Sequence, residues 1–340
     1  MKKLLFLALG LLSASVSFAQ QRPQYSQYMM NNFLMNPAVT GIEDYIDVRT
    51  GYRRQWLGVT NSPSTFYASA HVALNKNDKN IRQAYGSRKT FVSKSSPHAN
   101  KNNHFFKARP HHGVGIIAQS DKTGPLSTTL MSGNYAYHIP LSRTVKFSSG
   151  VSVGMLQYFF DPMKATLYTA NDPAFMDGRT NSVNVDLGLG TWLYSDKFFI
   201  GASAQQLIPN QDDVSRRGYR NDEGPLQRHY YVTGGYKLEV AHNVDVVPSV
   251  MVKMAAPSPV AVDVNARIIY AQRLWAGVSY RHQDAVAAMV GMNVSPLLDI
   301  GYSYDATTSA MRKVSAGSHE VMVGLKLINR NGVLCPQWMW

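Results

Sequence analysis

The sequence predicts an all-β fold, a transmembrane antiparallel β-barrel of about 14 strands in an outer membrane. Three observations predict it. Apolar and polar residues alternate over most of the chain, a secretory leader precedes them, and short and long links alternate between the segments. The 340 residues are 45% hydrophobic and 11% aromatic, which favours a folded chain over a disordered one. Beyond the leader, no apolar run reaches the roughly 18 residues of a membrane helix.

Residues 1–19 form a predicted signal peptide. Two lysines precede an apolar stretch over residues 4–12, and Ser17 and Ala19 place small side chains before a cleavage point. The mature chain is therefore expected to begin near Gln20. Because an exported protein rarely meets nucleic acid, that partner is not expected, despite a net charge of +13.

Alternation with a period of two defines the strands. Val262 and Val264, for example, flank Asp263, and Ile268 follows Arg267. The predicted strands cover 45–56, 64–74, 112–120, 126–139, 144–158, 183–194, 197–207, 229–240, 243–254, 259–272, 274–282, 285–294, 297–305 and 318–328. Two soluble β-sandwiches remain an alternative, since periodicity alone does not separate them. The leader, the segment length, Tyr and Phe at segment ends and charges at strand centres favour the barrel.

The links between segments predict the topology. Both chain ends of an exported barrel lie in the periplasm, so links after even-numbered strands should be short periplasmic turns. Five of the six fit, and long outside links follow at 159–182, 208–228 and 306–317. The barrel is thus expected over 45–328, with a C-terminal tail over 329–340. Residues 20–44 are expected to form a partial plug in the periplasmic mouth, with Asn36-Pro37 ending a short helix.

The link after the second strand, residues 75–112, is a basic insertion that breaks the pattern of short turns. Nine basic residues and one acid, Asp78, give it a net charge of +8. One interpretation is a solvated polar insertion. The other is a periplasmic docking arm for an acidic partner or the cell-wall polymer, carried by Lys76, Lys79, Arg82, Arg88, Lys89, Lys94, Lys101, Lys107 and Arg109.

Motifs for catalysis, cofactors and metals are weak in this chain. The GxGxxA pattern at 113–118 lies inside a strand, where a dinucleotide-binding turn has no place. His111 and His112, with His104, are expected to be surface histidines, since no carboxylate or cysteine follows at ligand spacing. His319-Glu320 begins like HExxH but lacks the second histidine, and GxSxG is absent. No enzyme activity, cofactor or metal is therefore expected.

Charged residues of both signs are predicted to line the barrel lumen. Such a set forms either an ion-pair network that fills the lumen or the charged wall of an open porin. The residues are Asp47, Arg49, Arg53, Asp245, Lys253, Asp263, Arg267, Arg281, Asp299, Glu320 and Lys326.

A series of short motifs occurs in a specific order along the chain. They are Pro23 to Met29 (PQYSQYM), Asn36-Pro37-Ala38, Gly51 to Trp56 (GYRRQW), Ser62 to Thr65 (SPST), Tyr135 to His138 (YAYH), Ser279-Tyr280-Arg281, Gly301 to Asp305 (GYSYD) and Gly317 to Glu320 (GSHE). From Tyr25 to the end, the chain resembles the PorP/SprF family of type IX secretion. The positions that match the family pattern best are Ser26, Gln27, Tyr28, Asn36, Pro37, Arg53, Gln55, Trp56, Tyr302, Asp305, Ser318, His319 and Glu320.

The resemblance implies an integral, non-enzymatic outer-membrane component of the type IX secretion system. Its implied partners, besides outer-membrane lipid, are the periplasmic ring proteins, the C-terminal signal domain of a secreted adhesin, or both. The long outside loops either contact a cargo domain at the cell surface or face lipopolysaccharide without binding a partner. The loop residues that would make the cargo contact are Tyr168, Phe175, Asp212, Asp213 and Tyr219. The alternative function is a passive fourteen-stranded channel for small solutes.

Overall fold

The structure is a computed structural model, and it describes residues 22–76, 109–142, 144–164, 180–208, 227–255, 258–329 and 332–334. Several predictions concern residues outside these ranges. They are the signal peptide, most of the basic insertion (Lys79, Arg82, Arg88, Lys89, Lys94, Lys101 and Lys107), His104, and the loop residues Tyr168, Phe175, Asp212, Asp213 and Tyr219.

Fifteen strand segments make up one antiparallel sheet. They are β1 Ile46–Arg54, β2 Ser64–Leu74, β3 His111–Thr123, β4 Leu126–Pro140, β5 Lys146–Phe160, β6 Thr180–Tyr194, β7 Phe198–Gln205, β8 His229–Tyr236, β9 Leu238–Ala241, β10 Val244–Ala255, β11 Ala261–Tyr270, β12 Leu274–Arg281, β13 Ala285–Asn293, β14 Leu298–Thr307 and β15 Ser318–Leu327. β8 and β9 both pair with β10 and are interrupted only at Lys237, so the barrel has 14 strands. The predicted fold is confirmed.

The barrel is closed. With β8 and β9 counted as one strand, each strand pairs with its neighbours in sequence, and β15 returns to pair with β1 from Ile46 opposite Leu327 to Arg54 opposite His319. Closure leaves no strand edge to face lipid, which a membrane barrel requires. β3 begins at His111, so the last two residues of the predicted insertion belong to the wall.

The two ends of the barrel differ. At one end, here called the short-turn end, tight links join β4 to β5, β6 to β7, β9 to β10, β11 to β12 and β13 to β14. At the other, the long-loop end, longer links include those from β5 to β6, β7 to β8 and β14 to β15. This is the asymmetry that the sequence predicts. Exported barrels place their long loops outside the cell.

Alternation along each strand separates an apolar outside from a polar inside. On β11, Val264 and Ile268 are exposed, whereas Asp263, Asn265 and Arg267 between and beside them are buried. The outer face can therefore meet lipid while the inner face builds a polar lumen. Among the described residues, no helix has both the length and the apolar character needed to cross a bilayer.

The N-terminal segment lies inside the barrel, and every residue from 25 to 43 is buried. We call residues 25–43 the plug. It folds as three one-turn 3-10 helices, η1 Tyr28–Met30, η2 Asn32–Leu34 and η3 Pro37–Val39. Asn36 is extended (φ −143°, ψ 114°), as expected before proline, and the segment holds three one-turn helices where one short helix was predicted. η2 ends at Leu34, and the Asn36 side chain accepts from the Ala38 N–H at the start of η3.

Candidate functional site: the plug and its seat in the lumen

The first anchor of the plug is Ser26, which lies within a cluster of four buried charges. Arg53 of β1, Arg281 of β12, Asp305 of β14 and Glu320 of β15 form this cluster, which we call the charge cluster. All four come from strand positions near the long-loop end and face inward by the alternation of their strands. Two cations and two carboxylates make the cluster balanced in charge.

Ser26 joins all members of the charge cluster. Its hydroxyl donates to Asp305 Oδ2 at 2.6 Å and accepts from Arg281 Nη2 at 2.6 Å and from Arg53 Nη1. Its backbone N–H donates to Glu320 Oε2 at 2.7 Å. Arg53 Nη2 in turn lies 2.7 Å from Asp305 Oδ2. Because charge-assisted hydrogen bonds in a dry lumen are strong, this residue holds the start of the plug firmly.

Tyrosines on the same part of the plug extend this anchor. Tyr28 Oη accepts from Asn265 Nδ2 at 2.7 Å, and Tyr25 donates its hydroxyl proton to Gln119. Burial, the largest cause, raises the pKa of both phenols above the ordinary value for tyrosine. Both side chains therefore stay neutral and act as hydrogen-bonding groups rather than as charges.

The second anchor is Asn36 at the middle of the plug. Its Nδ2 donates to the carbonyl oxygens of Thr191 on β6 at 3.0 Å and of Ala202 on β7 at 3.1 Å. The wall comes this close because it carries glycine there. A Cβ on Gly150 would lie 2.5 Å from Pro37 and Ala38 backbone atoms, and one on Gly190 2.0 Å from Asn36 Oδ1.

The third anchor, at the short-turn end, is a group of three histidines around Thr40 and Gly41. His71 Nδ1 accepts from the Gly41 N–H at 3.2 Å, and His111 Nε2 lies 3.2 Å from the Gly41 carbonyl oxygen. His138 Nε2 lies 2.8 Å from the Thr40 carbonyl oxygen, and its ring stacks on that of His111 with centroids 4.3 Å apart. Gly41 has φ +75°, a conformation that favours glycine.

This third anchor corrects the prediction for His111. It was expected to be a surface histidine, but it is 2% exposed, because β3 starts at His111 and its first residue faces the lumen. His71 and His138 were not singled out from the sequence, although both lie on inward-facing strand positions. Among the residues that the structure describes, no group of three His, Cys, Asp or Glu side chains is arranged to hold a metal ion.

A second set of charges fills the lumen below the plug's last turn. Arg49 Nε donates to Asp47 Oδ1 at 3.0 Å, and Arg49 Nη1 lies 3.6 Å from Asp299 Oδ2. Lys326 Nζ donates to Asn293 Oδ1 at 3.1 Å and to the carbonyl oxygen of Leu334 in the C-terminal tail. Strand wall, plug and tail thus meet at the short-turn end.

The predicted lumen charges all face inward. Asp245 and Lys253 are half-buried, and the other nine are buried. Lys253 Nζ lies 2.5 Å from Asp263 Oδ2. Ion pairs of this kind link different strands inside the barrel.

The family-pattern positions divide into two groups. Ser26, Gln27, Tyr28, Asn36, Pro37, Arg53, Asp305 and Glu320 meet inside the lumen. The rest lie at the long-loop end. The Trp56 N–H donates to Ser318 Oγ at 3.1 Å, the Gln55 N–H donates to the Pro63 carbonyl oxygen, and Tyr302 and His319 face outward, 2.6 Å apart between Oη and Nδ1.

Two basic residues of the insertion lie within the described residues. Lys76 Nζ lies 2.8 Å from Asp44 Oδ1 and donates to the Ile42 carbonyl oxygen at 2.5 Å, so it fastens the end of the plug. Arg109 is exposed. Lys76 therefore has a structural role, and the docking role of the insertion stays a prediction.

The plug also reaches further than the predicted location. It was expected in the periplasmic mouth, yet Ser26 contacts strand positions near the long-loop end and Gly41 contacts positions near the short-turn end. The segment therefore runs along the lumen. The physical reason is that all its polar backbone groups need partners, and the inward polar faces of many strands supply them.

Two solved structures match this chain at low sequence identity. The Acinetobacter baumannii outer membrane protein Omp33 is 7% identical, with a TM-score of 0.45, over 84% of this chain and 100% of that one. The Ralstonia pickettii toluene transporter TbuX is 9% identical, with a TM-score of 0.49, over 88% of this chain and 93% of that one. No curated protein matches the chain.

The family described as type IX secretion system membrane protein PorP/SprF matches residues 17–325, nearly the whole chain. This match agrees with the family resemblance that the ordered motifs indicate in the sequence. The protein is an outer-membrane component, as predicted. The chain belongs to the PorP/SprF family of type IX secretion system membrane proteins.

Proposed function

We propose that this protein is a non-enzymatic, non-conducting barrel of the type IX secretion system that acts by binding other proteins. The partners are periplasmic ring proteins at the short-turn end, the C-terminal signal domain of a secreted adhesin at the long-loop end, or both. The observation that carries the proposal is the filled lumen, since every residue from 25 to 43 is buried there. In a barrel whose lumen is filled by its own chain, the two ends and their loops remain available to bind other proteins.

The filled lumen counts against the alternative function, a passive solute channel. Ser26, Asn36 and Gly41 fasten the plug at three levels to eight different strands. A solute path would require these bonds to break together. Bonds to buried charges contribute about 1.5–3 kcal/mol each, so the plug is not expected to leave spontaneously.

The two ends offer different chemistry to partners. The insertion over 75–112 carries a net charge of +8, which complements an acidic protein surface or polymer at the short-turn end. The loop residues Tyr168, Phe175, Asp212, Asp213 and Tyr219 combine aromatic and acidic side chains. Aromatic residues are enriched in protein interfaces, which suits a cargo domain.

One co-purification experiment tests the proposal. The full-length protein is isolated from native outer membranes in mild detergent, and bound proteins are identified by mass spectrometry. We expect secretion-system proteins with the wild type. Deletion of residues 78–108 should remove the periplasmic partner, and a matched variant with the same segment replaced by an uncharged linker of equal length separates charge from length. Wild-type protein without secretion partners would contradict the proposal.

Single-channel recording tests the alternative. Purified protein in a planar bilayer should show no steady conductance, because the plug fills the lumen. A variant without residues 22–40 is the matched control, and it should conduct if the barrel itself is intact. Steady conductance by the wild type at the level of this control would favour the channel.

A further inference from the structure

We propose that the outer surface of β14, β15, β1, β2 and β3 at the long-loop end binds the phosphate groups of a glycolipid in the outer leaflet. Neither the lumen residues nor the loop residues proposed to bind partner proteins contribute to this surface, so this inference is independent of the proposed function. It depends on the placement of the long loops outside the cell.

The site is built from residues that lie directly opposite one another across five neighbouring strands. Tyr304 pairs with His319, His319 with Arg54, Arg54 with Ser64, and Ser64 with Lys122. All five face outward. Because neighbouring strands lie about 4.8 Å apart, the Cα atoms of Arg54 and Lys122 are separated by about 10 Å. Their long side chains can therefore reach one phosphate or two phosphates of the same headgroup.

Aromatic side chains lie two residues below this row. Tyr302 is 41% exposed, Tyr52 48% and Phe66 50%, and Tyr52 and Phe66 are directly opposed on β1 and β2. Exposed Tyr and Phe at the end of an apolar strand face mark the boundary between hydrocarbon and headgroups. The row from Tyr304 to Lys122 therefore lies at headgroup level.

Charge on this outer surface has a single sign. Arg54, Lys122, Arg312 and Lys313 are exposed, and no ion pair found among the described residues involves them. The last two lie in the link from β14 to β15, whose Ala316 N–H donates to the Leu57 carbonyl oxygen beside the row.

Acids are confined to the inside of these strands. Every carboxylate of the five strands lies on an inward-facing position, namely Asp47, Asp121, Asp299, Asp305 and Glu320. The links over 55–63 and 308–317 contain no acid at all. A surface with four cations and no carboxylate attracts an anion.

The polar side chains of the row suit a phosphate ligand. Arg donates two parallel hydrogen bonds to phosphate oxygens, and Lys adds a point charge. His319 is fixed by Tyr302, whose Oη lies 2.6 Å from His319 Nδ1. Tyr304 Oη donates to the Ala316 carbonyl oxygen at 3.1 Å and holds the loop against the row. An outer-leaflet phosphoglycolipid brings its phosphates to this level and its acyl chains to the apolar strand faces below.

The test compares lipid binding by wild-type protein and by the double variant Arg54→Gln/Lys122→Gln. Both are purified in detergent and titrated with diphosphorylated lipid A, and bound lipid is counted by native mass spectrometry. We expect the double variant to bind roughly tenfold more weakly, which is about 1.4 kcal/mol for the pair, since two solvent-exposed charge contacts are lost and each such contact is weak. The matched control is Lys197→Gln/Arg273→Gln, which removes two exposed cations at the short-turn end and should bind like the wild type.

Ligand variants identify the group that is recognised. Lipid A from which both phosphates have been removed should bind as weakly to the wild type as diphosphorylated lipid A does to the double variant. Inorganic phosphate at the same concentration should not displace the lipid, because it lacks acyl chains. Equal binding by the wild type and the double variant, or equal binding of lipid A with and without phosphate, overturns the proposal. An electrophoretic mobility that changes only after the sample is heated verifies that each variant is folded.

Discussion

Replacement of Arg53 by methionine should destabilise the barrel through the carboxylate it leaves behind. Arg53 is 2% exposed and Glu320 is fully buried. Arg53 pairs with Glu320, with Nη1 3.5 Å from Glu320 Oε2. Asp305, by contrast, also pairs with Arg281, whose Nη2 lies 3.2 Å from Asp305 Oδ2. After the substitution, Asp305 keeps a cation and Glu320 does not. The energetic cost therefore arises mainly at Glu320.

The expected magnitude follows from this geometry. Removing one partner of a buried ion pair costs about 3–5 kcal/mol, because the other charge stays buried without compensation. Glu320 keeps the hydrogen bonds from the Ser26 N–H at 2.7 Å and from the Tyr67 hydroxyl at 3.0 Å, which places the loss toward the lower limit. We expect the free energy of unfolding of Arg53→Met to fall by about 3 kcal/mol.

Denaturant unfolding in detergent or vesicles, followed by tryptophan fluorescence, measures this loss. Arg54→Met is the matched control, since Arg54 is the next residue but faces outward, and its effect should stay within about 0.5 kcal/mol. The double variant Arg53→Met/Glu320→Gln should recover at least half of the loss, because no uncompensated charge remains. Purely additive effects of the two substitutions would refute the reasoning, since they would show that Arg53 and Glu320 do not interact.

Three further predictions concern the plug. Gly150→Ala should displace η3 and increase hydrogen exchange over 37–42, at a cost of about 1–3 kcal/mol, because its Cβ would lie 2.5 Å from backbone atoms of Pro37 and Ala38. Gly133→Ala, with its closest neighbour 4.0 Å away, should leave exchange unchanged. Asn36→Ala should lower the free energy of unfolding by about 1–3 kcal/mol, since two wall carbonyls lose their donor, and an unchanged midpoint in denaturant would contradict this. Tyr25 and Tyr28 should stay neutral above pH 10, where exposed tyrosines ionise, in an absorbance titration. Because the folded state raises their pKa, their contribution to stability is complete below about pH 10 and is lost as the pH rises further.

The strands could be predicted because their signal is local. Alternation places Asp263 and Arg267 on one face and Val264 and Ile268 on the other, and a barrel needs no further information to sort lumen from lipid. The even number of strands, and the contrast between short links at one end and long links at the other, followed from the lengths of the alternating segments and of the links between them. Boundaries were less certain where polar residues continue a strand, as at the start of β6, which begins at Thr180 rather than at 183.

The seat of the plug was only partly predictable. The inward direction of Arg53, Asp305 and Glu320 follows from strand periodicity, but their convergence on Ser26 does not. Ser26 is 279 residues from Asp305 in sequence, and a hydroxyl gives no local sign of four charged partners. The inward direction of His71, His111 and His138 also follows from the alternation along their strands. Only the fold, however, brings these side chains to Thr40 and Gly41.

By itself, the sequence determined the membrane, the barrel, the strand count and the two faces of the wall, because each depends on residues close together in the chain. The tertiary structure decided that the N-terminal segment fills the lumen and that the charge cluster holds its start. It also decided that Arg54 and Lys122 share one outer surface. These features depend on register between strands that are remote in sequence, and closure of the barrel is what sets that register.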